Sequence, residues 1–229
     1  MKKKLIVLTG AGISAESGLS TFRDSGGLWE GHNVMDVASP EGWRKNKDLV
    51  LDFYNQRRRQ LLNAKPNAAH IELVRLEKKF DVTIITQNVD DLHERAGSAN
   101  IIHLHGELNK SRSTSHPELV YELNGKDIYN GDKCERGSQL RPHIVWFGEM
   151  VPMMDEAIRH SESADIFIII GTSLVVYPAA SLIEFAPHDS PKYLIDPARP
   201  ECNLEYNNLS FIQKTATEGA VELVEKLVK

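Results

Sequence analysis

His103 and His105 stand two residues apart at the end of an apolar run, with Gly106 and Glu107 directly behind them. On a regular strand, residues two apart share a face, so the two imidazoles and Glu107 have the donor types of a metal site. Position favours a different use for His105. It closes the run just before a glycine, and ligands in open α/β sheets gather at the carboxyl ends of strands. An imidazole titrates near neutrality and can take a proton from a sugar hydroxyl. Two more apolar runs end in polar residues. Residues 82–86 lead into Gln87, Asn88, Val89, Asp90 and Asp91, and residues 166–170 lead into Gly171, Thr172 and Ser173. Each could cap a helix or form a turn. Three such ends on one sheet edge make a candidate ligand site.

A glycine-rich turn lies at the same edge. Gly10, Ala11, Gly12, Ile13, Ser14 and Ala15 match G-x-G-x-x-[G/A] directly after an apolar run over residues 5–9. The glycines permit a tight turn and close approach of a diphosphate, and the following helix offers free N–H groups to anionic oxygens. A plain strand-to-helix turn uses the same residues. The ordinary dinucleotide pattern also places an acidic residue about 20 positions on, at the end of a second strand. No strand is predicted there. Ser17 to Asp24 and then Gly26, Gly27, Leu28 and Trp29 follow instead, a stretch suited to fold over a ligand. A dinucleotide held here would serve chemistry other than ordinary hydride transfer.

These residues need a scaffold. Short apolar runs over 5–9, 82–86, 101–105, 144–147, 166–170 and 193–195 have the near-continuous Ile, Val and Leu content of strands covered on both faces, hence a parallel sheet. Helical spacing appears over 48–62, 67–79, 153–163 and 217–228, the last with Thr217 as its expected N-cap. Strands alternating with helices predict a doubly wound, Rossmann-like α/β fold. Two stretches break the alternation: a helical excursion over about 31–80, and a polar, irregular one over about 107–141. Both are expected to form a smaller second lobe on a single catalytic domain spanning residues 1–229, with the ligand in the cleft between lobes.

Composition bounds the partners. The chain has 229 residues and a formal net charge of -5, with a pI near 6.0. This argues against general affinity for nucleic acid or anionic membranes. Cys134 and Cys202 are too few for a disulfide framework or a four-cysteine zinc site, which suits a reducing compartment. The run after the N-terminal lysines is too short for a signal peptide's core of roughly 7–15 residues, and nothing approaches the ~20 apolar residues of a membrane span. The expected location is the cytoplasm. No apolar stripe stands out that would specify an oligomer.

Taken together, the segments resemble the sirtuin family of NAD-dependent protein lysine deacylases. The matching segments are Gly10 to Ser14, Gly18 to Arg23, Thr86 to Asp90, His105 to Glu107, Arg141 to Glu149, and Gly171 to Ser173, in family order along most of the chain. The resemblance implies NAD as cosubstrate and acyl-lysine proteins as partners. The acyl-lysine oxygen attacks the anomeric carbon of the nicotinamide ribose and nicotinamide leaves. A histidine then activates a ribose hydroxyl, and lysine and O-acyl-ADP-ribose are released. By motif, His105 is that base. Asn88 and Asp90 line the nicotinamide pocket, with Gln87 on the ribose. Phe22 and Arg23 belong to the covering loop, and Gly171, Thr172 and Ser173 approach the phosphates and ribose. Further cofactor contacts carry over to Gly10, Ala11, Gly12, Ala15, Thr21, Trp29, Asp196 and Ala216. Val145, Trp146, Phe147, Gly148 and Glu149 would pair with the substrate backbone as an added strand.

The chain departs from the family pattern in three places. Ser20-Thr21 replaces the usual Pro-Asp. Asp196 stands where asparagine is frequent. The zinc cysteines are missing: Ser113 and His116 occupy the region of the first pair and Cys134 that of the second, so no structural zinc is predicted. Tyr54 and Arg57, on one helical face, resemble the Tyr-x-x-Arg of the class III branch, which removes succinyl, malonyl and glutaryl groups; Thr21 fits that branch. A guanidinium holds a distal carboxylate bidentately while a phenol adds a hydrogen bond. Arg58 and Arg59 are expected on the surface. Competing readings are an NAD glycohydrolase or ADP-ribosyltransferase using the same pocket, a non-catalytic NAD-sensing module, and a metal enzyme built on His103, His105 and Glu107.

Overall fold

The structure, a computed structural model, describes residues 2–21, 28–29, 31–199, 206 and 208–229. Strand β1 (Lys4–Thr9) leads through α1 (Gly12–Ala15) to a ribbon of β2 (Leu28–Trp29) and β3 (His32–Asn33). Helices α2 (Val34–Val37), α3 (Pro40–Lys45), α4 (Lys47–Asn63) and α5 (Ala68–Leu76) follow, then β4 (Asp81–Thr86), α6 (Leu92–Ala96) and β5 (Ile101–His103). Next come β6 (Gly106–Ser113), β7 (Val120–Glu122) and β8 (Leu140–Ile144). The remaining elements are α7 (Met154–Glu162), β9 (Ile166–Ile170), α8 (Leu182–Phe185), β10 (Lys192–Ile195), β11 (Leu209–Ile212) and α9 (Ala216–Val228).

The predicted doubly wound sheet is present. Six parallel strands lie in the order β11-β10-β9-β1-β4-β5. The pleat sends successive side chains to opposite faces, which explains the unbroken apolar runs. Leu5, Val7, Ile166, Ile168 and Ile170 pack with α5 and α9 on one face. Ile6, Leu8, Phe167 and Ile169 pack with α7 and α8 on the other. Strand order reverses between β1 and β9, which sets a crevice at their carboxyl ends. No helix among the described residues is long and apolar enough to cross a membrane.

The polar stretch after residue 106 is more regular than its composition suggests. It forms a three-stranded antiparallel sheet, β7-β6-β8. Polar strands exposed on one side carry no continuous apolar signature. The expected strand over 144–147 is replaced by β8, one edge of that small sheet. The apolar residues beyond it serve a third core instead, where Ile144 and Trp146 meet Trp43, Phe53 and Tyr54. The helical excursion divides between lobes. Helices α2, α3 and α4 build this third core, but Ala69, Leu73 and Leu76 of α5 pack on the main sheet. The cap of α9 is Thr215, whose hydroxyl accepts the Glu218 N–H; Thr217 instead donates to Glu16. Strand β11 was not anticipated.

Candidate active site

The Gly10 and Gly171 turns meet at the crevice. A Cβ on Gly10 would lie 2.7 Å from the Thr172 Cβ, and one on Gly12 would lie 2.6 Å from the Gly171 Cα. Glycine is therefore required for loop-to-loop contact, sealed by the Gly12 N–H donating to the Gly171 carbonyl at 2.8 Å. This adds to the expected role in approaching a diphosphate: two backbones must close on each other before either meets a ligand.

Strand β4 delivers the next group. The Asn88 N–H donates to Thr86 Oγ1 at 3.0 Å, and its carboxamide donates to Ser14 Oγ at 3.1 Å. Ser14 in turn donates to Asp90 Oδ2 at 2.9 Å, while Asp90 Oδ1 accepts the Leu92 N–H at 3.2 Å. Burial raises the Asp90 carboxyl pKa against these bonds. Gln87 donates to Thr172 Oγ1 at 3.2 Å, joining the β4 and β9 ends. Sequence reasoning omitted Ser14 from the site. Its signal was its place in the first turn of α1, facing the polar end of β4.

His105 sits where the chain changes lobes. Strand β5 stops at His103, two residues short of the expected end. Gly106 then adopts φ +84, and a side chain there would collide with the His143 carbonyl. The His105 ring contacts the Gln87 carbonyl through Nδ1 at 3.0 Å. A carbonyl only accepts, so Nδ1 carries the proton and Nε2 of the neutral ring keeps its lone pair. Burial lowers the His105 pKa below the ordinary 6.5, against the opposing Gln87 bond. His103 behaves in the opposite way. Its own burial is outweighed by Glu94, which bonds Nε2 at 2.6 Å and raises the pKa. The two histidines therefore have separate partners. Among the described residues, no group of three or more His, Cys, Asp or Glu side chains is placed to hold a metal.

The facing wall comes from α4 and the segment after β8. Tyr54 is fully buried, and its hydroxyl accepts the Trp146 indole N–H at 3.2 Å. Burial raises the phenol pKa far above its usual value. The Arg57 guanidinium lies 4.3 Å from the Trp29 ring centre and 5.7 Å from that of Phe53. Arg58 corrects the surface expectation. It is 0% exposed, donates to the Leu108 carbonyl at 2.9 Å and to Asn55 at 2.8 Å, and its pKa is lowered to about 10 by burial. The Glu149 carboxylate is committed internally. It accepts from Arg141 at 2.7 and 3.1 Å, from Arg112 at 3.2 Å and from the Trp146 N–H at 2.8 Å. These bonds outweigh its burial and lower its pKa. The Val145 and Phe147 N–H groups are also used, by His105 and Ala38. Only the Gly148 N–H of this segment lacks a partner among the described residues, so an added strand would meet mainly carbonyls here.

Both walls enclose one cavity of about 490 Å³. Gly10, Ala11, Gly12, Ala15, Thr21, Trp29, Gln87, Asn88, Asp90, His105, Gly171, Thr172, Ser173, Asp196 and Ala216 line it, as do Tyr54, Arg57, Val145, Trp146, Phe147, Gly148 and Glu149. Phe22 and Arg23 lie outside the described residues. Unanticipated lining residues include Gln60, Val176, Tyr177 and Thr215. The chemical content of the cavity is a neutral, oriented imidazole beside a buried hydroxyl–carboxamide–carboxylate cluster.

The sequence pattern of the Sir2 family matches residues 10–178, the segment that carries nearly all of this wall. The chain belongs to the Sir2 family. Among Sir2 relatives, the NAD-dependent protein deacylase of Helicobacter pylori (strain ATCC 700392 / 26695) is 56% identical over 227 residues, covering 99% of this chain and 98% of that protein. The NAD-dependent protein deacylase of Bacteroides thetaiotaomicron is 54% identical over 231 residues, with 99% and 98% covered. A solved Sir2 homolog–NAD complex is 41% identical with a TM-score of 0.89, covering 99% of this chain and 90% of that one.

Proposed function

We propose that this Sir2 protein is an NAD-dependent protein lysine deacylase that removes succinyl, malonyl and acetyl groups. The carrying observation is His105: it lines the cavity, and its Nδ1 is tied to Gln87, which leaves the lone pair on Nε2. The residues fit NAD chemically. Gly10, Gly12 and Gly171 give a side-chain-free edge for a diphosphate, and Ser14, Asn88 and Asp90 give a buried polar corner for a carboxamide and ribose. Bound NAD supplies an electrophilic sugar carbon and a departing nicotinamide. His105 Nε2 accepts a proton from a ribose hydroxyl. Asp90 balances positive charge developing nearby, and Asn88 is oriented by Ser14. Acyl-lysine proteins are the partners; net charge of -5 supports neither nucleic acid nor an anionic membrane as one.

Arg57 and Tyr54 support the acidic acyl preference, because both stand in the wall that would face the acyl group. The aromatic faces against Arg57 orient its guanidinium. We propose further that the small lobe holds without zinc. Cys134 donates its thiol to Ser113 at 3.4 Å and Arg136 engages His116 at 3.2 Å, so the residues of the lost site bond to each other or to close neighbours. A buried thiol used in this way suits the cytoplasm.

The test is a panel of acetyl-, malonyl- and succinyl-lysine peptides with and without NAD, with products identified by mass. Nicotinamide plus O-acyl-ADP-ribose, formed only with NAD and without added zinc, is the expected result. Free ADP-ribose as the sole product would point to a glycohydrolase instead, and an ADP-ribosylated protein to a transferase.

A further inference from the structure

The proposed reaction uses His105 and leaves two other buried histidines without a role. His70 in α5 and His93 in α6 are 0% and 1% exposed. Their ring centres lie 4.9 Å apart, with planes tilted by 60°. A buried imidazole is costly unless its nitrogens find partners. Here each ring bonds through only one. His70 Nδ1 lies 3.3 Å from the Asn67 backbone nitrogen and 3.0 Å from Asn67 Oδ1, and His93 Nε2 lies 3.1 Å from Thr9 Oγ1. Among the described residues, His70 Nε2 and His93 Nδ1 have no hydrogen-bond partner.

The hydrogen-bond direction at His93 follows from Thr9. The Thr9 hydroxyl donates to Thr86 Oγ1 at 2.9 Å, so its oxygen receives a proton from His93 Nε2 and leaves the lone pair on His93 Nδ1. Burial keeps both rings neutral. It lowers the His70 pKa to about 4 and that of His93 well below 6.5.

Both ends of this chain reach the cavity. At one end Thr86 Oγ1 accepts the N–H of Asn88, whose carboxamide donates to Ser14. At the other, Asn67 donates to the Ile13 carbonyl at 2.7 Å and to Ser17 Oγ at 3.0 Å, bracing the glycine turn. We infer that His93, seated against His70, is a positioning residue that sets Asn88 through Thr9 and Thr86. The inference rests on the NAD-handling role proposed above for Asn88. A residue that merely filled the core would be replaceable by an apolar ring.

The experiment compares wild type with His93→Phe, His93→Gln, Thr9→Val and the double variant His93→Phe/Thr9→Val. NAD affinity is read by calorimetry, and KM is measured separately for NAD and for an acyl peptide. Removing His93 should weaken NAD roughly tenfold, as loss of a buried hydrogen-bond partner does, with the peptide KM within about twofold. His93→Gln, which can still offer an N–H to Thr9, should restore most of the loss. Thr9→Val should add almost nothing to His93→Phe, because both act on one chain. Additive losses, parallel changes in both KM values, or an unaltered His93→Phe enzyme would overturn the inference. If His93→Phe does not fold, Thr9→Val and Thr86→Val decide: selective weakening of NAD supports the role, and unchanged affinity ends it. A wild type without NAD-dependent turnover would instead sink the functional reading itself.

Discussion

Along the sheet side of the cavity, Gly10, Gly12 and Gly171 bring backbone against backbone, and Ser14, Asn88 and Asp90 bond to one another. On the opposite side, Tyr54, Arg57 and Trp146 present large side chains; Trp146 bonds to Tyr54 and to the Glu149 carboxylate, which its two arginines hold in turn. The first wall offers small, cross-bonded groups at fixed positions, suited to an invariant ligand. The second offers a guanidinium and aromatic rings, to which the proposed function assigns the choice among acyl groups. His105, at the junction of the lobes, belongs to both.

The comparison is broken most severely at that junction. His105→Ala should lower deacylation of every acyl peptide by roughly 10²–10⁴ in kcat/KM, the range for loss of a general base, while calorimetric NAD affinity stays within about threefold. In wild type the same group sets a pH limb. His105 must be neutral to accept a proton, and burial lowers its pKa below 6.5. Activity should therefore fall with acidification only below pH 6.5; a limb centred above that value would show that another group limits turnover.

The second wall alone is addressed by Arg57→Met. Desuccinylation should fall roughly 30-fold or more, the low end of the roughly 2–5 kcal/mol for leaving a buried charge without its partner. Deacetylation should change by less than about threefold. Equal loss for both acyl groups would remove the specificity claim and leave His105 untouched.

The smallest effect is expected at the brace. Glu149→Gln leaves Arg141 and Arg112 with a neutral partner in a partly exposed cluster, so a stability loss of about 1–2 kcal/mol is expected after solvent screening. Thermal melting reads that loss. Peptide KM should rise while NAD affinity holds; a matching loss of NAD affinity would mean that the walls are not independent.

The apolar runs, their polar ends and the glycine turn were legible because each is encoded within a few neighbouring residues. Period-two burial on both faces demands an unbroken Ile, Val and Leu run, and a turn of closely packed backbone demands glycine. These determined the parallel sheet, the ligand edge and the position of His105. Tertiary structure alone decided the rest. Ser14 joins residues 74 and 76 positions away. Arg58 is buried because Leu108 and Asn55 accept its protons, and nothing in a run of three arginines distinguishes it from Arg59. The small sheet pairs polar strands whose partners lie far along the chain. Local periodicity records which face of an element is covered, whereas a hydrogen bond or ion pair between distant side chains exists only once the fold has brought both partners together.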